Sequence, residues 1–493
     1  MKNIIKYISI FSLTLVFTKN SYCQDIESNN NEFTINQLQN DFKVFRESLE
    51  ESHIGLYLYN SKIEMDSIFD SAYSSINHKM TDREFMILIC KITSQIGDGH
   101  LWVSLPKEKS DSIDNEKVHI PFQVYHYDDK LYVSKNYSSL DDKDFLGSQI
   151  ISINGYSMSD FFKEYLSIYN ADGRNLTLKH RFISRRNTFT YYFNLLYGYQ
   201  EKYEVKYIPI NDSITKINMF QGLYLDTLLK ISNTRYPKKN KEQKPIFFES
   251  NIDSSFAYLK IKTFMDDSYE ENKINYEKFL KTSFTELETK NIQNLIIDLR
   301  DNPGGNSSKS KLLFSYFAET DFTYLKSVCM KKERFNCLKY DELTPNRKFP
   351  KRQLKPNSTG TFELIKHPDI GLISPSQPTF KGNIYVLIDG ACFSATSEFL
   401  SALHSNTKAI FIGEESGGNY YGNCAYWNIN NLKLPNTKIK LKIPLVQTSM
   451  EVKEYIYTDR GLIPNYTIIP NVYEKINRID SELNFVMKLI LKK

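Results

Sequence analysis

"IDGACFSATSEFLSAL", residues 388–403, leaves an apolar strand, turns sharply and continues with helical spacing. Ser394 stands at the turn. A strand, a tight turn and a helix in that order set a hydroxyl at the positive end of the helix. Serine also favours the N-cap for its own sake, so this stretch alone leaves nucleophile and plain cap both open. Two further stretches share the pattern. "LIIDLRDNPGGN", residues 295–306, is a buried strand ending in Asp298 and Arg300 and running on to Gly304 and Gly305. Adjacent glycines adopt unusual dihedrals and expose backbone N–H groups, which suits a developing oxyanion as well as an ordinary turn. "IFIGEESGGNYYGN", residues 410–423, is another strand running into glycines. With "FAYLKIKTF" from Phe256 and "NIYVLID" from Asn383, strands alternate with helical patterns. That order predicts an α/β unit built on a mostly parallel sheet.

Taken together, these stretches resemble serine peptidase family forty-one, which includes the tail-specific processing proteases, the tricorn core peptidase and the interphotoreceptor retinoid-binding modules. The family's D-x-R-x-N-x-G-G pattern matches Asp298 to Gly305, and its F-S-A-x-x-E turn matches Phe393 to Glu398. Its G-E-x-T-x-G strand end resembles Gly413 to Gly418, with Ser416 in place of Thr. "LPNT" (434–437) and "RGLIPNY" (460–466) resemble its closing segments, with Asn465 where the family has Asp. The likeness spans residues 255–475. It implies a crotonase-like β-β-α spiral core and a Ser394 nucleophile. The oxyanion donors would be the amides of Ala395 and of Gly304 or Gly305. It also implies a peptide or protein substrate, and neither cofactor nor metal.

The tail-specific branch supplies a lysine base where this chain has Asn419, and a neutral amide cannot accept the serine proton. The tricorn-like branch uses a histidine from the N-terminal part of the chain. "IGDGHLWVSL", residues 96–105, resembles its G-D-x-H stretch and makes His100 the candidate base, nearer that branch and the retinoid-binding modules than the Ser–Lys branch. An imidazole titrates near neutrality and can take a proton and return it. The alternative is that His100 only caps or packs at a helix end. For the acid that orients the imidazole the expectation is Asp459, with Glu451 and Glu454 as rivals and Asp98 assigned to the local turn. Gly99 stands where tricorn-like sites have serine. If Asn419, Gly99 and Asn465 mark lost catalysis, the chain is instead a binding protein for an apolar ligand or peptide.

The rest of the chain fits the same layout. Residues 1–23 read as a secretory signal peptide: a basic start, an apolar run too short to span a bilayer, then small residues. No later run approaches about 18 apolar residues, so the exported chain is expected to have no integral membrane segment. Residues 24–115 read as a helical unit, with Thr81 and Glu84 as a capping box. Residues 116–215 read as a strand-rich unit whose "GSQIISING" (147–155) resembles the core of PDZ domains, which bind extended peptides at a sheet edge. A linker (216–254) with a solvated basic run follows, then the core (255–476), holding an irregular insertion at 326–379, and a C-terminal helix (477–493). The 63 basic residues, less Lys2, Lys6 and Lys19, nearly balance the 58 acidic ones, which gives no basis for nucleic-acid binding. No C-x-x-C or H-E-x-x-H pattern marks a metal. Cys329 and Cys337 are spaced to close a small loop, and spacing alone does not decide whether they do. Oligomeric state is not legible.

Overall fold

The structure, a computed structural model, describes residues 32–491 apart from 107–115, 117, 186, 238–243, 252–255, 346 and 350. The expected signal peptide lies outside the described residues. The chain is α/β. Its central sheet has six strands in the order Tyr466–Thr467, Ile410–Gly413, Asn383–Ile388, Asn294–Asp298, Phe256–Ile261 and Ile246–Asn251. All neighbours are parallel except the last pair. Asn294–Asp298 and Asn383–Ile388, buried on both faces, are near-continuous apolar runs, as the interior of a parallel sheet requires. The register aligns Asp298 with Leu387 and Ile388 with Gly413. Three glycine-bearing loops therefore leave the carboxyl edge of the sheet side by side, where ligands of open α/β sheets bind.

Three helices, Ile35–Ser52, Lys62–Ser75 and Asp82–Ile96, form the N-terminal part, each opened by a capping box that includes Thr81 with Glu84 in the third. They do not stand apart from the core. Leu38, Phe42, Phe45, Phe85 and Ile89 belong to one apolar cluster with the strands of the central sheet. Helical spacing also stops sooner than the sequence suggested: Trp102–Ser104 is a strand, antiparallel to Lys440–Ile443. Asp41, fully buried, accepts from the backbone and side chain of both Asn436 and Thr437, the last two residues of "LPNT". Asp41→Ala strands two amides and a hydroxyl, each at about 1–3 kcal/mol. We expect it to lower stability by about 3 kcal/mol, seen as a lower urea midpoint, with the helices themselves retained.

The second apolar cluster packs on a six-stranded antiparallel sheet ordered Phe122–Tyr127, Lys130–Asn136, Gln149–Ile153, Lys202–Ile208 and Lys216–Gln221, with the short Tyr156–Ser157 also paired to Gln149–Ile153. Three longer helices lie within the region the sequence suggested was strand-rich: Met158–Ile168, Thr177–Ile183 and Thr188–Tyr197. Their Phe and Tyr residues read as strand formers, but Phe161, Phe162, Tyr165, Phe189 and Phe193 recur at helical spacing and fill this core. The edge strand Phe122–Tyr127 is partly engaged, since the His126 amide donates to Ser184 Oγ. The stretch read as a linker holds the strand Lys216–Gln221, the helix Leu225–Arg235 and the strand Ile246–Asn251. The supposed irregular insertion contributes the strands Leu354–Pro356 and Phe362–Leu364 to a five-stranded sheet. Cys329 and Cys337 are free thiols. Near them, Asn357 meets the Cys329 sulfur and Glu51 takes the Cys337 amide. The helix Ser481–Leu491 covers one face of the central sheet through Val486 and Ile490. No helix among the described residues is long and apolar enough to cross a membrane.

Candidate active site

Ser394 sits where the strand Asn383–Ile388 gives way to the helix Ala395–Asn406. Its φ of 56° and ψ of −127° are costly for any residue with a Cβ, and such strain persists only where the surroundings impose it. The strain does not serve capping, because the Ser394 side chain makes no cap hydrogen bond. Its Oγ lies instead 3.0 Å from His100 Nε2, across 294 residues of sequence. The helix Asp82–Ile96 stops at Gly97, which takes the left-handed conformation at φ 74° and turns the chain toward the sheet edge. Two residues beyond His100 the strand Trp102–Ser104 is stitched to the core, with Trp102 opposite Lys442. The imidazole is thus fixed from both sides by backbone.

The Phe393 ring stacks on His100 with centroids 4.5 Å apart. Gly99 makes room for it: a Cβ there would come within 2.7 Å of the Phe393 ring. Glycine at this position is therefore a packing requirement. Burial holds the His100 imidazole down at about 4, against the upward pull of Asp98, so the ring is neutral at pH 7. Asp98 is the carboxylate brought to His100. Its Oδ1 accepts the His100 amide at 2.7 Å and lies 3.9 Å from Nδ1, while Oδ2 meets His53 Nε2 at 2.7 Å. Nδ1 itself is buried and has no hydrogen-bond partner among the described residues. Asp172 lies close by. It accepts from the amides of Gly99 and Asn419, and burial beside Asp98 pushes its carboxyl up. Sequence reasoning missed Asp172, which carries no motif and reaches the site only through the fold.

Asp459, the expected orienting acid, is placed differently. Its carboxylate faces Arg174 at 3.4 Å, and its carbonyl accepts the Arg174 amide. The rivals Glu451 and Glu454 are exposed. Asn419 stands where a lysine base would, but its side chain is committed: Nδ2 donates to Thr458 O and Oδ1 accepts the Tyr421 amide. Asn465 Oδ1 accepts the Phe411 amide and so secures the strand Ile410–Gly413. Arg300 binds Asp298 and Asp480, tying the sheet to the C-terminal helix.

The oxyanion candidates separate. The Gly304 amide donates to Asn302 Oδ1 at 2.9 Å, so it is already engaged. The amides of Gly305 and Ala395 have no hydrogen-bond partner among the described residues. Gly304 fixes their setting by close approach. A Cβ on it would lie 2.5 Å from Phe393 O and 2.9 Å from Ala395 N.

Solved structures share this architecture. A structure of mature CPAF complexed with lactacystin is 16% identical, with a TM-score of 0.62 over 93% of this chain and 98% of that one. Mature CPAF alone is 14% identical, with a TM-score of 0.61 over 93% and 97%. The photosystem II D1 C-terminal processing protease is 13% identical, with a TM-score of 0.42 over 92% and 97%. At these identities the likeness to the two CPAF structures is one of fold. No curated protein matches the chain by sequence. Residues 255–444, which hold the three loops at the sheet edge, match the model of peptidase family S41.

Proposed function

We propose that the chain is an exported serine peptidase in which Ser394 and His100 act as nucleophile and base. The observation that carries this is the 3.0 Å approach of Ser394 Oγ to His100 Nε2, made by a serine held at positive φ that caps nothing. Neutral His100 takes the hydroxyl proton as Oγ attacks a peptide carbonyl, and then gives it to the leaving amine. The tetrahedral oxyanion forms against the Ala395 and Gly305 amides, which are free to receive it. Water repeats the sequence on the acyl-enzyme, with His100 again as base. Asp98 stabilises the imidazolium by charge at 3.9 Å, a role the sequence assigned to Asp459. The S41 match and the fold shared with proteases support a peptide or protein substrate. The leader-like start of the sequence supports export, and the ladder beginning at Phe122–Tyr127 supports a PDZ-like unit that presents an extended chain.

A binding protein would be marked by its departures from the family pattern, yet each departure here serves the local structure. Gly99 accommodates Phe393, Asn465 secures a strand, and Asn419 bridges two backbone segments. The test is covalent labelling of the purified chain by a fluorophosphonate. Wild type should be labelled at Ser394, as located by peptide mass mapping, and Ser394→Ala should not. A folded wild type that is never labelled, or is labelled equally as Ser394→Ala, would reject the proposal.

A further inference from the structure

Asp98 and Asp172 line a cavity of about 230 Å³ together with Tyr59, Asn419 and Cys424. Both carboxylates are buried, at 4% and 3% exposure. Among the described residues neither forms an ion pair with a lysine or arginine; only the imidazoles of His53 and His100 approach, both at Asp98. Two buried carboxylates side by side repel each other and favour a positive charge between them. One ligating atom from each of Asp98, Asp172 and His100 lies within 4.8 Å of the other two. Nε2 of that imidazole faces Ser394, whereas Nδ1 lies 3.9 Å from Asp98 Oδ1, buried and without a hydrogen-bond partner among the described residues.

We infer that Asp98, Asp172 and His100 Nδ1 form a binding site for one divalent transition-metal cation of the zinc type. Two carboxylate oxygens and an imidazole nitrogen suit zinc, whose bonds to such atoms run about 2.0–2.2 Å. Calcium requires about six to eight oxygens and is a poor match. The three atoms must draw together by roughly 1 Å to reach those bond lengths, and the cavity leaves room for that and for water as a fourth ligand. The ligands are already oriented from outside. Gly99 and Asn419 amides hold Asp172, and His53 with the His100 amide holds Asp98. Each carboxylate oxygen keeps a lone pair for the metal. Neither motif spacing nor composition could show the site, since Asp172 comes from a segment far from the other two.

The consequence rests on the Ser–His reading above. A metal on Nδ1 leaves the ring proton on Nε2. Nε2 then donates to Ser394 Oγ and cannot accept from it, so the loaded site is silent. The chain, tag-free and stripped with a chelator, should be titrated with zinc against a chromophoric chelator. One zinc per chain is expected. Ser394→Ala should bind it as wild type does, and Asp172→Asn should bind at least ~100-fold more weakly, since it loses a direct ligand. His100→Ala, which leaves both carboxylates in place, should weaken binding similarly if Asp172→Asn fails to fold. Fluorophosphonate labelling of Ser394 should fall as zinc fills the site and return with chelator. Equal affinity in wild type and His100→Ala would overturn the site. Zinc binding with the predicted variant pattern, in a metal-free chain that is never labelled, would uphold the site and reject only the serine chemistry.

Discussion

Ser394→Ala and His100→Ala are each expected to lower kcat by about 10⁶-fold, with the double variant no worse than either single one. The non-additivity is the informative part. In the proposed mechanism His100 acts on the substrate only through Ser394 Oγ, 3.0 Å away, so once one partner is gone the other has nothing left to contribute. What survives is the positioning and the free amides of Ala395 and Gly305, worth about 10³-fold over water. Stability separates this outcome from simple damage. Ser394 Oγ makes no cap hydrogen bond, so its removal should leave Tm unchanged or slightly raised. Turnover of a chromogenic ester or peptide, with thermal melts on the same samples, reads both. Asn419→Lys should not rescue His100→Ala: the present Asn419 side chain bridges Thr458 and Tyr421, and a lysine would break that bridge. A His100→Ala variant with near-normal turnover would remove the imidazole from the mechanism.

The parts of this site legible in the sequence are those that a single stretch of chain specifies. The strands Asn294–Asp298 and Asn383–Ile388 are buried on both faces and so appear as unbroken apolar runs. The glycines after them mark where the backbone must bend or approach closely. His100 is visible through a local motif. What stays hidden is assembled from distant segments. Asp172 meets His100 only because the loop after the helix Met158–Ile168 packs beneath Gly99. Asp459 has the right charge and lies in the right segment, yet Arg174 claims its carboxylate, and no pattern in the sequence announces that pairing. Gly99 and Asn465 look like losses beside a family pattern. In the fold each is required by a particular neighbour: the Phe393 ring for one, the Phe411 amide for the other. The aromatic helices near residues 177–197 resemble strands because ring-rich sequence favours both states, and only the packing around Phe161 and Phe193 decides between them.

Gly304→Ala is expected to cost about 10³-fold in kcat with far less effect on substrate binding. The glycine does not donate to the oxyanion, since its amide serves Asn302 Oδ1. Its part is to let two loops meet. An added Cβ would lie 2.5 Å from Phe393 O, 2.8 Å from Ser394 Cβ and 2.9 Å from Ala395 N, all on backbone or on the nucleophile itself. None of these can yield without moving the Ala395 amide or the serine. A misplacement of about 1 Å at reacting atoms is enough for a hundredfold loss. The φ of 93° adds a strain of about 1–2 kcal/mol for alanine that has nothing to do with contact. Gly360 separates the two effects. It also has positive φ, 79°, but a Cβ there meets nothing within 4 Å. Gly360→Ala should therefore show the backbone penalty as a small drop in Tm with kcat unchanged, whereas Gly304→Ala should lose both. If the two variants lost equal stability and Gly304→Ala kept its turnover, close packing against Ser394 would not be what sets the oxyanion site.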